Sequence, residues 1–172
     1  MIVRDIMRSS PKSCAPSTNL AALTELLWSS GCGALPVVDA SGGVSGIVTD
    51  RDICVALGTR NGRPSELVAK EVMSREVATC QATDDVHAAL RTMRARKIRR
   101  LPVLDAAGKL AGILSMSDLI LNARHDDGSR PPLSYEDVMD ALKGIYSHPP
   151  YCVVTARNGG NYVSLSKTAI SG

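Results

Sequence analysis

The sequence of 172 residues has no phenylalanine, a single tryptophan and four tyrosines, so any core it builds is aliphatic. No apolar run approaches the roughly 20 residues that a spanning helix requires, and no membrane association is expected. Charge of one sign is also scarce: a formal net charge of +3 is too small to argue for nucleic-acid binding by itself. The opening Met1-Ile2-Val3-Arg4-Asp5-Ile6-Met7 lacks a basic segment followed by an apolar stretch, so no secretory signal is read and a cytoplasmic location is expected. Five cysteines (Cys14, Cys32, Cys54, Cys80 and Cys152) are an odd number without CxxC spacing, which disfavours disulfides and metal and leaves them as small hydrophobes. His87, His125 and His148 are scattered without metal-ligand spacing, and the chain has no Gly-x-Ser-x-Gly elbow or Walker loop. No catalytic residue and no metal are therefore expected, and the chain is not expected to be an enzyme.

What the chain does have is internal repetition. Met7 matches Met73, Cys14 matches Cys80, Leu35-Pro36-Val37 matches Leu101-Pro102-Val103, Gly46-Ile47 matches Gly112-Ile113, and Asp52 matches Asp118. Every pair is 66 positions apart, as 118 less 52 shows, and no gap is needed across the unit.

Each unit predicts the same order of elements. Lys12-Ser13-Cys14 and Ala78-Thr79-Cys80 predict brief strands, and Ser17 or Thr83 a helix start. Leu20, Leu23 and Leu27, like Val86, Ala89 and Met93, fall at i, i+3 and i+7, the spacing of a helix with one buried face. Two apolar runs around a polar turn then predict a hairpin, with Pro36 and Pro102 expected near a strand start or an edge because proline cannot donate to a ladder. The unit closes with helices from Asp50 and from Met116. One unit alone has too few layers to bury its sheet, so two copies packed face to face about a pseudo-twofold axis are expected. The boundaries fall at residues 1–57, a linker 58–69, residues 70–124, and a C-terminal part 125–172. Within that last part Ser134-Tyr135-Glu136-Asp137 predicts the start of an amphipathic helix, followed by a tail read either as loosely ordered or as a hairpin between 152 and 165.

At the end of each hairpin, Gly46-Ile47-Val48-Thr49-Asp50-Arg51-Asp52 and Gly112-Ile113-Leu114-Ser115-Met116-Ser117-Asp118 run from a strand into a helix, with a hydroxyl at its cap and a carboxylate three residues later. That pattern is also an ordinary capping box. Its repetition in register is what raises a second role, because free N–H groups, a hydroxyl and an acceptor-only carboxylate suit a phosphate on one side and sugar hydroxyls on the other.

Taken together, these motifs resemble a tandem pair of cystathionine beta-synthase (CBS) domains, a Bateman module, over residues 3–123. The resemblance implies an α/β (α+β) fold of two β-α-β-β-α repeats packed sheet to sheet with pseudo-twofold symmetry. It also implies an adenosyl ligand between the repeats (AMP, ADP or ATP, with NAD or S-adenosylmethionine as further possibilities), regulation of an effector protein rather than catalysis, and association into a homodimer. Carried over by position, Asp52 and Asp118 would take the ribose hydroxyls, Thr49 and Ser115 the phosphate, Ser117 would add a hydroxyl, and Arg51 would reach a phosphate. The base would lie near Ser13 and Cys14 or Thr79 and Cys80. Arg99 or Arg100, where the first repeat has Gly33-Ala34, would strengthen phosphate binding at the Asp118 site, with only one of the two pointing inward.

Two other readings compete. In the first, the corners are caps alone, in a constitutive dimerisation scaffold without ligand. In the second, the cations of residues 91–100 bind RNA or DNA, although no aromatics are interleaved among them to stack bases, which disfavours single strands.

Overall fold

A computed structural model describes residues 1–128 and 131–147; the hairpin considered for 152–165 lies outside the described residues. After a turn of 3-10 helix at Val3–Asp5, the first repeat comprises β1 (Arg8–Ser9), α1 (Leu20–Ser30), β2 (Ala34–Val38), β3 (Val44–Thr49) and α2 (Asp50–Thr59). The second comprises α3 (Ala69–Val72), β4 (Cys80–Gln81), α4 (Val86–Arg96), β5 (Arg100–Leu104), β6 (Leu110–Ser115) and α5 (Met116–Asn122), and α6 (Tyr135–Tyr146) follows.

The long helices bury the predicted faces, Leu20, Leu23 and Leu27 on α1 and Val86, Ala89 and Met93 on α4. Their caps lie two residues later than Ser17 and Thr83. Asn19 and Asp85 are the caps, accepting from the N–H groups of Ala22 and His87, while Thr18 spends its hydroxyl on the Ala15 N–H in the preceding turn.

The hairpins are antiparallel, and each places its proline mid-strand rather than at a strand start, Pro36 opposite Ile47 in the two-stranded sheet and Pro102 opposite Ile113 in β5, which has a neighbour on each side. The position tolerates it because Ile47 directs both its backbone groups away from β2, to Ser74 at 3.1 and 3.0 Å. The missing proline N–H therefore removes no bond of the β2–β3 ladder.

The two cores are offset from the two repeats, because the leading arms cross over. β1 pairs with β6, Arg8 opposite Ile113, and the corresponding bridge of the other half joins Ser74 to Ile47. Val3 is buried in the core of the second repeat, and its counterpart Ala69 in the core of the first. Gly112 and Gly46 make the crossing possible: the Met7 sulfur lies where a Gly112 Cβ would be, and the Met73 sulfur does the same at Gly46. The result is a four-stranded sheet ordered β1-β6-β5-β4 and a two-stranded sheet β2-β3, with the hairpin turns joined where the Leu110 N–H donates to the Gly42 carbonyl at 3.1 Å.

α6 extends the second core. It packs on α4 and α5 and buries Val138, Ala141 and Ile145, with Leu142 only partly covered. Ser134 caps it, and His87 lies between Asp85 (3.1 Å) and Asp137 (3.4 Å). The Ser134 hydroxyl, then its backbone N–H and His87, outweigh burial and hold the Asp137 carboxyl below the usual carboxylate range.

Candidate functional site

Both strand-to-helix corners close as capping boxes. Asp52 Oδ2 accepts from the Thr49 N–H at 2.8 Å and from its hydroxyl at 2.7 Å; Asp118 Oδ2 accepts from the Ser115 N–H at 2.9 Å and from its hydroxyl at 2.5 Å. One oxygen of each carboxylate is thus committed locally, and Oδ1 is what each corner offers outward.

The outward oxygens meet different surroundings. Asp118, only 6% exposed, receives Arg8 Nε on Oδ1 at 3.2 Å, a bond brought across by the exchanged arm. Asp52 is partly exposed, and among the described residues no group is bonded to its Oδ1.

Two hollows share Ala34 and Arg100, which occupy matching positions of the two repeats. One, of about 310 Å³, is bordered by Arg8, Lys12, Arg100, Ser115, Ser117 and Asp118. The other, of about 320 Å³, is bordered by Thr49, Asp52, Glu76, Lys97, Arg99 and Arg100. Each sets three cations against one corner carboxylate, and the second adds Glu76. Concave, positively charged hollows of this kind concentrate anionic ligands.

Several sequence-derived positions fall elsewhere. Ser13, Cys14, Thr79 and Cys80 border neither hollow. Ser13 is exposed, while the backbone of Cys14 pairs with Pro36 and Val38 and Cys80 lies opposite Val103, which turns both thiols into the cores. Burial pushes those thiols up to about 11 and about 12. The parts of the leading arms that face the hollows lie a few residues upstream, at 8–12 and 74–78. Arg51 is exposed and borders neither hollow, whereas Ser117 is at the edge of the Asp118 hollow. Arg99 borders the Asp52 hollow and not that of Asp118; Arg100 borders both, so the two arginines are not alternatives. Arg8 and Glu76 were given no role in the sequence, Lys12 was read only as part of a brief strand, and Lys97 only among the cations of residues 91–100. The available signal was a break in the repeat, since Arg8 stands opposite Ser74 and Lys97 opposite Gly31.

The family model for the CBS domain matches residues 3–59 and again 69–124. The chain belongs to the CBS-domain family. As a CBS pair it is 30% identical over 132 residues to the CBS domain-containing protein YhcV of Bacillus subtilis, covering 77% of this chain and 92% of that one. It is 31% identical to an uncharacterized protein of Methanopyrus kandleri, over 68% of this chain and 57% of that one. It is also 32% identical to the inosine-5'-monophosphate dehydrogenase of Mycobacterium tuberculosis, over 69% of this chain but only 22% of the enzyme. Among solved CBS pairs it resembles CBSX2 in complex with AMP, with a TM-score of 0.60 and 27% identity over 70% of this chain and 93% of that one. A similar likeness holds to the CBS domain pair of protein MJ0100 in complex with 5-methylthioadenosine and S-adenosyl-L-methionine, with a TM-score of 0.60 and 28% identity over 69% and 92% of the two chains. Among the described residues no helix is long and apolar enough to cross a membrane.

Proposed function

We propose that this CBS pair is a non-catalytic sensor that binds an adenine nucleotide between its repeats and signals to an effector protein. The observation that carries the reading is the repeated corner: a carboxylate with one oxygen held by its own cap and the other directed toward a cation-lined hollow. A ribose diol donates to that second oxygen, and phosphate oxygens meet Arg100 with either Lys97 and Arg99 or Arg8 and Lys12. Hollows of about 310 and 320 Å³ stand at the lower end of the ~300–1,000 Å³ typical of small-ligand sites, which favours one nucleotide in each.

The Asp52 hollow is the readier of the two, because a ligand there need not displace an arginine from the carboxylate. This reverses the preference drawn from the Arg99-Arg100 pair in the sequence. Arg8 released from Asp118 becomes available to a phosphate, so the second site fills at higher ligand concentration. AMP is the leading ligand, with ADP, ATP, NAD and S-adenosylmethionine as the comparison set.

Self-association as a homodimer accompanies this reading. Trp28 is 88% exposed beside a hollow of about 490 Å³ lined by Leu27 and Ile53. The matching positions of the second repeat (Arg94, Met93 and Leu119) belong to the face that α6 covers. Among the described residues the face of α1 and α2 is left open, and it is the one offered to a second copy.

Thermal melts with the five ligands test the sensor. A true ligand at ~100 times its dissociation constant stabilises the fold by about 2.7 kcal/mol. A constitutive scaffold shows no specific shift, and binding of RNA or DNA that persists at raised salt favours the nucleic-acid reading instead.

A further inference from the structure

We infer that Lys97 and Arg99 tie the end of α6 to the rim of the Asp52 hollow, so that an anionic ligand and the helix terminus compete for the same two cations. The inference rests on the ligand-binding role proposed for that hollow and adds the route by which occupancy reaches the C-terminal part of the chain.

Lys97 Nζ donates to the Ser147 carbonyl at 2.5 Å, and Arg99 Nη1 to the Tyr146 hydroxyl at 3.3 Å. Both side chains also border the Asp52 hollow. Each cation thus stands between a neutral acceptor on α6 and the space where a phosphate would sit. A hydrogen bond from a cation to a charged phosphate is roughly twice as strong as one between neutral groups and exceeds one to a neutral carbonyl or phenol, so the ligand draws the cations inward.

The first repeat supplies an internal comparison. Its matching positions are Gly31 and Gly33, which carry no side chain, and among the described residues no helix covers that face. Gly31 and Lys97 both adopt the left-handed conformation that ends the preceding helix, with φ of 58° and 54°. Glycine takes this conformation without strain and lysine does not. Among the described residues, tether, strained lysine and docked helix therefore occur together in the second repeat and not in the first.

Once the two tethers are lost, the last turn of α6 loosens, while its start remains held by the Ser134 cap and by Val138 and Ala141. Because coupling of this kind is reciprocal, weakening the tether must in turn tighten the ligand.

Hydrogen exchange on the full chain with AMP as probe reads the first half of this prediction, and calorimetry on Tyr146→Phe the second. Tyr146 is outside the hollow, so the substitution frees Arg99 without touching the site. The expected results are at least threefold faster exchange in the last turn of α6 when AMP is saturating, and AMP affinity about two- to fivefold higher in Tyr146→Phe, the equivalent of one modest hydrogen bond. AMP binding with unchanged exchange and unchanged affinity in the variant overturns the tether and leaves the sensor reading intact. Failure of AMP, ADP and ATP alike to bind removes both.

Discussion

At the scale of the residue, the two corner aspartates share one local geometry and differ in what the rest of the chain brings to them. The Thr49–Asp52 and Ser115–Asp118 boxes each join residues three positions apart, so they were legible in the sequence. The arginine on Asp118 was not, because Arg8 and Asp118 are 110 positions apart. Asparagine keeps the oxygen that accepts the cap hydrogen bond but lacks the charge. Asp52→Asn is expected to lower AMP affinity at least tenfold while changing stability by no more than about 0.5 kcal/mol. Asp118→Asn is expected to cost less affinity, since Arg8 already neutralises that carboxylate. Titration calorimetry beside a denaturant melt measures both, and equal losses from the two substitutions overturn the proposed order of filling.

At the scale of the element, the informative pieces are the exchanged arms. The repeat marked Met7 with Met73 and Gly46 with Gly112 as corresponding positions, but it did not disclose that Met7 lies on Gly112 and Met73 on Gly46. A correspondence between copies states what is alike, not what touches. A Cβ at Gly112 would collide with the Met7 sulfur and come within 3.0 Å of the Arg8 carbonyl, which belongs to backbone and cannot swing aside. Gly112→Ala is therefore expected to push β1 off β6 and destabilise the protein by about 1–3 kcal/mol, as overpacking does. Gly58 in α2 has open space around it, so Gly58→Ala is expected to stabilise by up to about 1 kcal/mol through helix propensity. Urea melts of the two variants should thus move in opposite directions. The buried cysteines carry the same lesson: of the brief strands expected at 12–14 and 78–80, only Cys80 enters a strand, β4, while Cys14 makes a single parallel bridge to Val37. Which side faced the ligand space was not legible either, since one residue of register reverses it.

At the scale of the whole molecule, one added helix breaks the symmetry of the duplicated unit. α6 covers the second repeat, and Arg94 lies over Gly144 where the first repeat leaves Trp28 in solvent. Self-association through the open face predicts that Trp28→Glu shifts the protein from dimer to monomer in sedimentation velocity, with little change in thermal stability because that side chain is not in the core. A dimer that survives the substitution assigns the interface to another surface.

Duplication, the order of elements, the aliphatic cores and the capped carboxylates were determined by the sequence alone, since each rests on periodicity or on contacts within a few residues. The crossing of the arms, the sharing of Arg100 between two hollows, the arginine on Asp118 and the tethering of α6 were decided only by tertiary structure. Each of these joins groups that are distant along the chain, and chain folding brings them within bonding distance without leaving a local pattern to mark the pair.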